Sequence, residues 1–275
     1  MDVADYLDHW GLKEDRSASA GAGLAFVRSG SAPAVLKLLD EKSDEANAAR
    51  ALRHFGGEAA VRVLREDRGA ILTERAVPGT PLSSLVGNGR DDEATAIIAD
   101  VIRRLHHGKV PTGWPTVEAW GAGLQRQKKR GTHRRLPPRL LDAGERVFLD
   151  LVRSQGKQRF LLHGDLHHDN IVFDERRGWL AIDPKGVVGE TAFETAAAMR
   201  NPTDLYPLQI DPYFIERRVA IFSERLSLDR SRVLGWFVAQ TVLSVCWLIE
   251  DRKADEAIVR GVHIAEAAQA VFEKA

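Results

Sequence analysis

The order of apolar runs predicts an α+β fold in two lobes: a small antiparallel β-sheet with one helix, then a larger, mostly helical lobe. Three observations carry this. Segments of strand, strand, helix, strand and strand character follow one another within roughly the first 75 residues. Helical periodicity then takes over. A chain of 275 residues is also long for one core and comfortable for two packed lobes.

Residues 1–16 read as a short amphipathic helix. Leu24–Val27 and Ala34–Leu39 are short apolar runs on either side of the turn-rich Ser29–Pro33, which predicts a β-hairpin. Ser43 or Asp44 is placed to cap a helix that runs to about Phe55 and stops at Gly56-Gly57. Ala60–Leu64 and Ala70–Glu74 are two further strands. Val77-Pro78-Gly79-Thr80-Pro81 reads as the linker, so the lobes divide as 1–76 and 77–275. Beyond it, Ile97, Ile98, Val101, Ile102 and Leu105 recur at helical spacing up to Gly108. Helices are expected over Glu118–Arg130 and Arg139–Gln155, short strands at Phe160–Leu162 and Leu180–Ile182, and helix over 211–275.

Composition narrows the function classes. Lys+Arg and Asp+Glu are both 39, so no global field draws the chain to nucleic acid or to an anionic membrane. The single cysteine, Cys246, forbids an intrachain disulfide and suits a reducing cytoplasm. Met1–Trp10 carries Asp2, Asp5 and Asp8 and no apolar core, so it is not expected to be a secretory leader. The longest apolar stretch, Val233–Ile249, is interrupted by Gly235, Gln240, Thr241 and Ser244 and predicts a buried helix rather than a membrane span.

The chemistry gathers in His163-Gly164-Asp165-Leu166-His167-His168-Asp169-Asn170. Phosphoryl transfer needs a carboxylate to orient the acceptor hydroxyl, oxygen ligands for Mg²⁺ and a cation for the ATP phosphates. Asp165 and Asn170 stand five residues apart, the spacing of the protein-kinase catalytic loop, and Asp183 follows a short hairpin. A carboxylate at the end of an apolar strand calls for a cation, and Mg²⁺ takes hard oxygen ligands. Upstream, Lys37 sits alone in an apolar run, where it would meet the α/β phosphates of ATP. Glu45 on the next helix would hold it, although the adjoining Asp44 competes for that role. Gly21 and Gly23 would let the backbone approach the phosphates.

These residues, with Ile182-Asp183-Pro184-Lys185-Gly186, resemble the aminoglycoside phosphotransferase superfamily. The resemblance is strongest to its streptomycin 6-phosphotransferase and hydroxyurea kinase branch. The double histidine, Asp-Pro-Lys-Gly, Leu52–Gly57, Leu72–Arg75 and Pro78-Gly79 point there, and the likeness spans roughly residues 17–202. It implies a protein-kinase-like fold, with residues 1–76 as the nucleotide-binding lobe and 77–275 as the catalytic and acceptor-binding lobe. It implies a hinge at Glu74–Ala76 whose backbone groups hold adenine, Asp165 as catalytic base, and Asn170 and Asp183 as Mg²⁺ ligands. Where the family usually has Asp to brace the catalytic loop, this chain has Glu194. The implied acceptor is a small polar molecule such as a streptomycin-type aminoglycoside, at its streptidine 6-hydroxyl. The alternatives are another small metabolite, hydroxyurea-like, sugar or amino alcohol, or nucleotide binding without catalysis.

Three other features have plainer readings. His163, His167 and His168 are too closely spaced to wrap a Zn²⁺ ion, and His163 is expected to fix the backbone near Asp183. Arg126, Lys128, Lys129, Arg130, Arg134, Arg135 and Arg139, with His133, read as a solvated helix and loop rather than a nucleic-acid surface, because Trp114 and Trp120 lie outside the run. Neither a membrane nor a protein partner is implied. A cationic acceptor would need carboxylates, for which Glu190, Glu194, Asp204, Asp211, Glu250 and Asp251 are the candidates.

Overall fold

The computed structural model describes residues 2–15, 23–39, 47–67, 69–110, 112–131 and 134–275. Asp2 and Asp5 cap each other's backbone to start α1 (Val3–Trp10), and Gly11, left-handed at φ 62°, ends it. The predicted helix over 1–16 is therefore shorter, because the chain turns at Gly11 into β1 (Lys13–Glu14). β2 (Leu24–Ser29) and β3 (Ala32–Leu38) form the predicted hairpin. After α2 (Ala48–His54) come β4 (Val63–Asp67) and β5 (Ala70–Glu74), giving an antiparallel sheet in the order β1-β2-β3-β5-β4.

Two expectations fail here. The strand predicted at Ala60–Leu64 starts only at Val63. Ala60 and Val61 are buried and join the other lobe instead, with Val61 N donating to Ala181 O at 3.1 Å and Ala181 N to Ala59 O at 2.7 Å. The predicted linker is also structured. Pro78–Pro81 is β6, an edge strand paired with β8 (Ile171–Asp174), which pairs in turn with β9 (Gly178–Ala181). An edge position tolerates the prolines because a missing N–H costs nothing on the open side.

The rest is helical apart from β7 (Phe160–Leu162) and β10 (Val187–Gly189), which pair antiparallel. α3 (Ser83–Gly87) and α4 (Asp91–Leu105) come first. The helix predicted over Glu118–Arg130 divides into α5 (Val117–Trp120) and α6 (Ala122–Arg130) at Gly121, where a Cβ would lie 2.3 Å from the Phe148 ring. α7 (Pro138–Arg153) and α8 (Thr191–Met199) follow. The predicted terminal helix is three: α9 (Pro212–Leu226), α10 (Arg230–Glu250) and α11 (Asp255–Phe272).

α10 is the axis of the large lobe and packs against α7, α8 and α11. Among the described residues it is the one helix long and apolar enough to cross a membrane, but 72% of its apolar window is buried inside the protein. Cys246 lies on it, and burial pushes that thiol up to about 12, so it is not a nucleophile near neutral pH. The lobes share a core. Ala49 and Leu52 of α2, and Phe55 at its C-cap, pack with Ile98 and Ile102 of α4 and with Ile171 and Leu180 of the central hairpin.

Candidate active site

The loop His163–Asn170 leaves β7 and is pinned from several sides. Gly164 has φ 85°, and a Cβ there would come 2.9 Å from the Trp120 ring, so only glycine fits. Glu194, in the first turn of α8 and fully buried, accepts from the amides of His163 at 2.6 Å and Gly164 at 2.9 Å. A buried carboxylate that receives two backbone N–H groups is satisfied without a metal. His106 Nε2 stands 3.4 Å from Glu194 Oε2. This brace is what the sequence left open at Glu194, and the longer side chain makes it.

His163 is buried and uses both ring nitrogens. Nε2 is bonded to Ile182 O at 2.8 Å, so it is the donor, and Nδ1 accepts from Asp165 N at 3.2 Å. His163 O in turn accepts from the amides of Lys185 and Gly186. The expected structural role near Asp183 is therefore realised, and neither nitrogen is open to a metal. His168 is also buried, and desolvation followed by the Arg218 charge holds its pKa well below the usual range. His167 accepts from Asp169 N at 3.3 Å.

Asp165 is held on both oxygens. Arg200 Nη2 lies 3.2 Å from Oδ1 and Lys185 Nζ 3.4 Å from Oδ2. Burial alone would raise its pKa, but the Arg200 and Lys185 charges, with smaller help from His167 and His163, hold it well below the ordinary carboxylate range. Arg200 is itself anchored, Nε donating at 3.0 Å to Gln240 Oε1, which is buried on α10. The α8 end that carries Arg200 is fixed by Arg218, which donates to the carbonyls of Ala198 and Asn201 and pairs with buried Asp91 at 2.6 Å.

A pocket of about 200 Å³ opens between the lobes, lined by Leu24, Val35, Ile71, Ala76, Val172 and Asp183 among others. At its inner end Lys37 Nζ meets Asp183 Oδ1 at 3.2 Å. Asp183 is not the buried strand-end carboxylate the sequence suggested. β9 stops at Ala181, the Asp183 side chain is 43% exposed, and its backbone is left-handed at φ 56°. That conformation is costly for a residue with a Cβ and turns Asp183 into the pocket that it lines. Glu74 lines the same pocket, but its amide donates to Arg62 O at 2.9 Å and its carboxylate takes Arg62 N and Arg177. Arg75 N and Val77 N are likewise engaged, on Pro33 O and Asp174 Oδ2, while the Ala76 amide takes no partner among the described residues. Gly23, at φ 77°, immediately precedes β2, whose Leu24 pairs with Lys37, and its carbonyl accepts from Leu38 N at 2.7 Å. Gly21, Glu45 and Asp44 lie outside the described residues.

Asn170 belongs to the same assembly. Its Nδ2 donates to Asp165 O at 2.9 Å, which leaves Oδ1 as its free ligating atom, and its carbonyl accepts from Ile182 N at 2.9 Å, next to Asp183. An amide oxygen and a part-exposed carboxylate are the hard donors that Mg²⁺ takes, so the residues fit that ion.

A second cleft, of about 320 Å³, is lined by Ala119, Trp120, Arg126, Lys185, Trp247, Glu250 and Asp251. Trp120 and Trp247 meet edge to face at 5.6 Å. Arg126 grips Glu250 with two hydrogen bonds of 2.9 and 3.0 Å, and Arg130 reaches it at 3.3 Å. Asp251, the next residue, is exposed, and its side chain makes no ion pair among the described residues. The remaining carboxylates fall elsewhere: Glu190 binds Arg232 and the Trp236 indole, Asp211 caps α9, and Asp204 sits in a short helical turn.

The basic stretch is solvent-exposed, as expected, and most of its charges are ion-paired. Lys128 pairs with Asp142 and Glu145, Arg134 and Arg135 with Asp255, and Arg139 with Glu266. Arg126, first met as part of that stretch, is a cleft residue. Sequence reasoning gave Lys185 no role although its motif was in view, and it did not find Arg200, which has no local signature.

The family model of the aminoglycoside/hydroxyurea antibiotic resistance kinases matches residues 9–252. The chain is 35% identical to streptomycin 3''-kinase of Klebsiella pneumoniae over 89% of its length and 91% of that protein. It is 30% identical to streptomycin 6-kinase of Streptomyces griseus over 90% of its length and 82% of that protein. In structure it matches a choline/ethanolamine kinase family protein from Mesorhizobium loti with a TM-score of 0.70, at 14% identity, over 95% of this chain and 88% of that one. The fold is thus protein-kinase-like, and the chain is a phosphotransferase that belongs to the aminoglycoside/hydroxyurea antibiotic resistance kinase family.

Proposed function

We propose that the chain transfers the γ-phosphoryl group of ATP to a hydroxyl of a streptomycin-type aminoglycoside, at the 6-position of its streptidine ring, in the cytoplasm. Residues 1–76 form the nucleotide-binding lobe and residues 77–275 the catalytic and acceptor-binding lobe. One observation carries the reading. Asp165 is linked to both openings: Lys185, its ion-pair partner, lines the cleft walled by two tryptophans, and Asn170, bonded to the Asp165 carbonyl, takes the amide of Ile182 beside Asp183, which pairs with Lys37 in the pocket.

Adenine enters the apolar pocket and meets the free Ala76 amide. Lys37 turns from Asp183 to the phosphates. Asn170 Oδ1 and the Asp183 carboxylate would hold Mg²⁺, which would supply positive charge to neutralise the phosphates. Asp165 orients the acceptor hydroxyl and takes its proton. The streptidine ring carries guanidinium groups, and Asp251 beside the Trp120–Trp247 wall offers such a cation a carboxylate and aromatic surface.

The test is an acceptor panel with purified protein, ATP or GTP, and varied Mg²⁺. Streptomycin should be turned over, and NMR of the product should place the phosphate at position 6. A 3''-phosphate would overturn the position and keep the reaction. No turnover of streptomycin alongside turnover of hydroxyurea, a sugar or an amino alcohol would overturn the antibiotic.

A further inference from the structure

We propose that Lys185 is a catalytic residue that leaves Asp165 when the acceptor arrives and turns to the phosphoryl group in transfer. The inference rests on the phosphotransferase reading and goes beyond it.

Two cations hold Asp165, and they differ in how firmly they are anchored. Arg200 is the fixed one. Its Nε is tied at 3.0 Å to a buried Gln240, and the helix end that carries it is held by the buried Arg218–Asp91 pair. Lys185 is the movable one. Its backbone is fixed, since its amide donates to His163 O at 2.8 Å, but its contact to Oδ2 is long at 3.4 Å and its side chain is 32% exposed. Lys185 also lines the acceptor cleft. Oδ2, held on the cleft side, is therefore the oxygen that an acceptor hydroxyl approaches, and in the resting enzyme the lysine ammonium occupies that approach.

The acceptor hydroxyl must displace that ammonium. Its tether limits where it goes. Asp183 lines the nucleotide pocket and Lys185, two residues on, lines the cleft, so the segment 183–185 joins pocket to cleft. The transferred group crosses the same junction. In the step, the acceptor oxygen forms a bond to the γ-phosphorus. The bond from that phosphorus to the β–γ bridging oxygen breaks, with its electron pair leaving on ADP, and the hydroxyl proton passes to Asp165 Oδ2. A cation released at that moment beside the equatorial oxygens favours the transition state over the ground state.

This gives Lys185 two opposite effects. In the resting enzyme it competes with the acceptor, and in transfer it assists. Lys185→Met separates them. With the full chain, kcat should fall tenfold or more, with the KM for ATP within about threefold of the native value. Without nucleotide, streptomycin binding followed by tryptophan fluorescence or calorimetry should be unchanged, to within about threefold, or tighter. Lys185→Arg should recover part of the lost kcat. A fall in kcat smaller than about tenfold, or acceptor binding weakened more than about threefold, would overturn the proposal. Lys185→Gln replaces the methionine variant if the latter fails to fold. If the native chain does not phosphorylate streptomycin, the proposed acceptor fails separately. The same comparison then runs on ATP hydrolysis, transfer to water, with the same tenfold threshold.

Discussion

The pocket that we propose for the nucleotide and the cleft that we propose for the acceptor are built differently. The pocket is an apolar slot with one ion pair at its inner end, Lys37 with Asp183. The cleft is a set of side chains already paired with one another: Lys185 on Asp165, Arg126 and Arg130 on Glu250, and two tryptophans edge to face. A pocket of the first kind receives its ligand largely as it stands. A cleft of the second kind must exchange internal ion pairs for ligand contacts, so its residues affect ground state and transition state differently. The loop that carries Asp165 does not follow either pattern, being stitched by buried hydrogen bonds that neither ligand disturbs.

The largest effect should come from the shared residue. Asp165→Ala should lower kcat by about 10²–10⁴-fold, the range expected for a positioned proton acceptor. The KM for ATP should stay close to native, since Asp165 faces the acceptor. A variant with native kcat would break the comparison at its centre.

Glu194→Ala tests the loop instead of either opening. It leaves the amides of His163 and Gly164 unsatisfied in a buried site, and the loss should be about 2–4 kcal/mol of stability, read by urea or thermal unfolding. Unfolding at the native midpoint would show that the brace is not needed.

Lys37→Ala tests the pocket alone. It should raise the KM for ATP by about tenfold, the size of one charge-assisted contact, and leave nucleotide-free acceptor binding unchanged. Loss of acceptor binding would show that the two openings are not independent.

The same contrast explains what was legible in the sequence. Elements around the apolar pocket follow one another closely along the chain, so local runs revealed the hairpin, its lysine and the strand β5 beside it. The catalytic loop is a contiguous motif whose spacing is itself the signal. The acceptor side joins α5, α6, the far end of α10 and the loop after β9, residues more than a hundred positions apart. No periodicity links Trp120 to Trp247 or Arg126 to Glu250. Charge pairing is also read poorly from sequence alone: the basic stretch is solvated as expected, but its partners on α7, α10 and α11 have no local signal, and nothing in the local sequence marks Arg200. The failed elements have the same origin. Ala60 and Val61 are apolar as a strand would be, but tertiary contact with Ala181 takes their hydrogen bonds across to the other lobe.

The smallest effect should come from Asp251, and it has a second signature that tests the reading. The residue caps the C-terminal end of α10, where its charge faces the negative end of the helix dipole. A structural role does not explain a carboxylate there. Asp251→Asn should therefore stabilise the protein slightly, by about 0.3–1 kcal/mol, because it removes an unfavourable charge at a helix end. If the same carboxylate meets an acceptor cation, the variant should raise the KM for streptomycin by about three- to tenfold with kcat and the KM for ATP unchanged. The gap between native and variant should narrow as salt rises, because an exposed charge is screened. A gain in stability without a change in acceptor KM would remove Asp251 from recognition and leave the tryptophan wall as the cleft's contribution to binding.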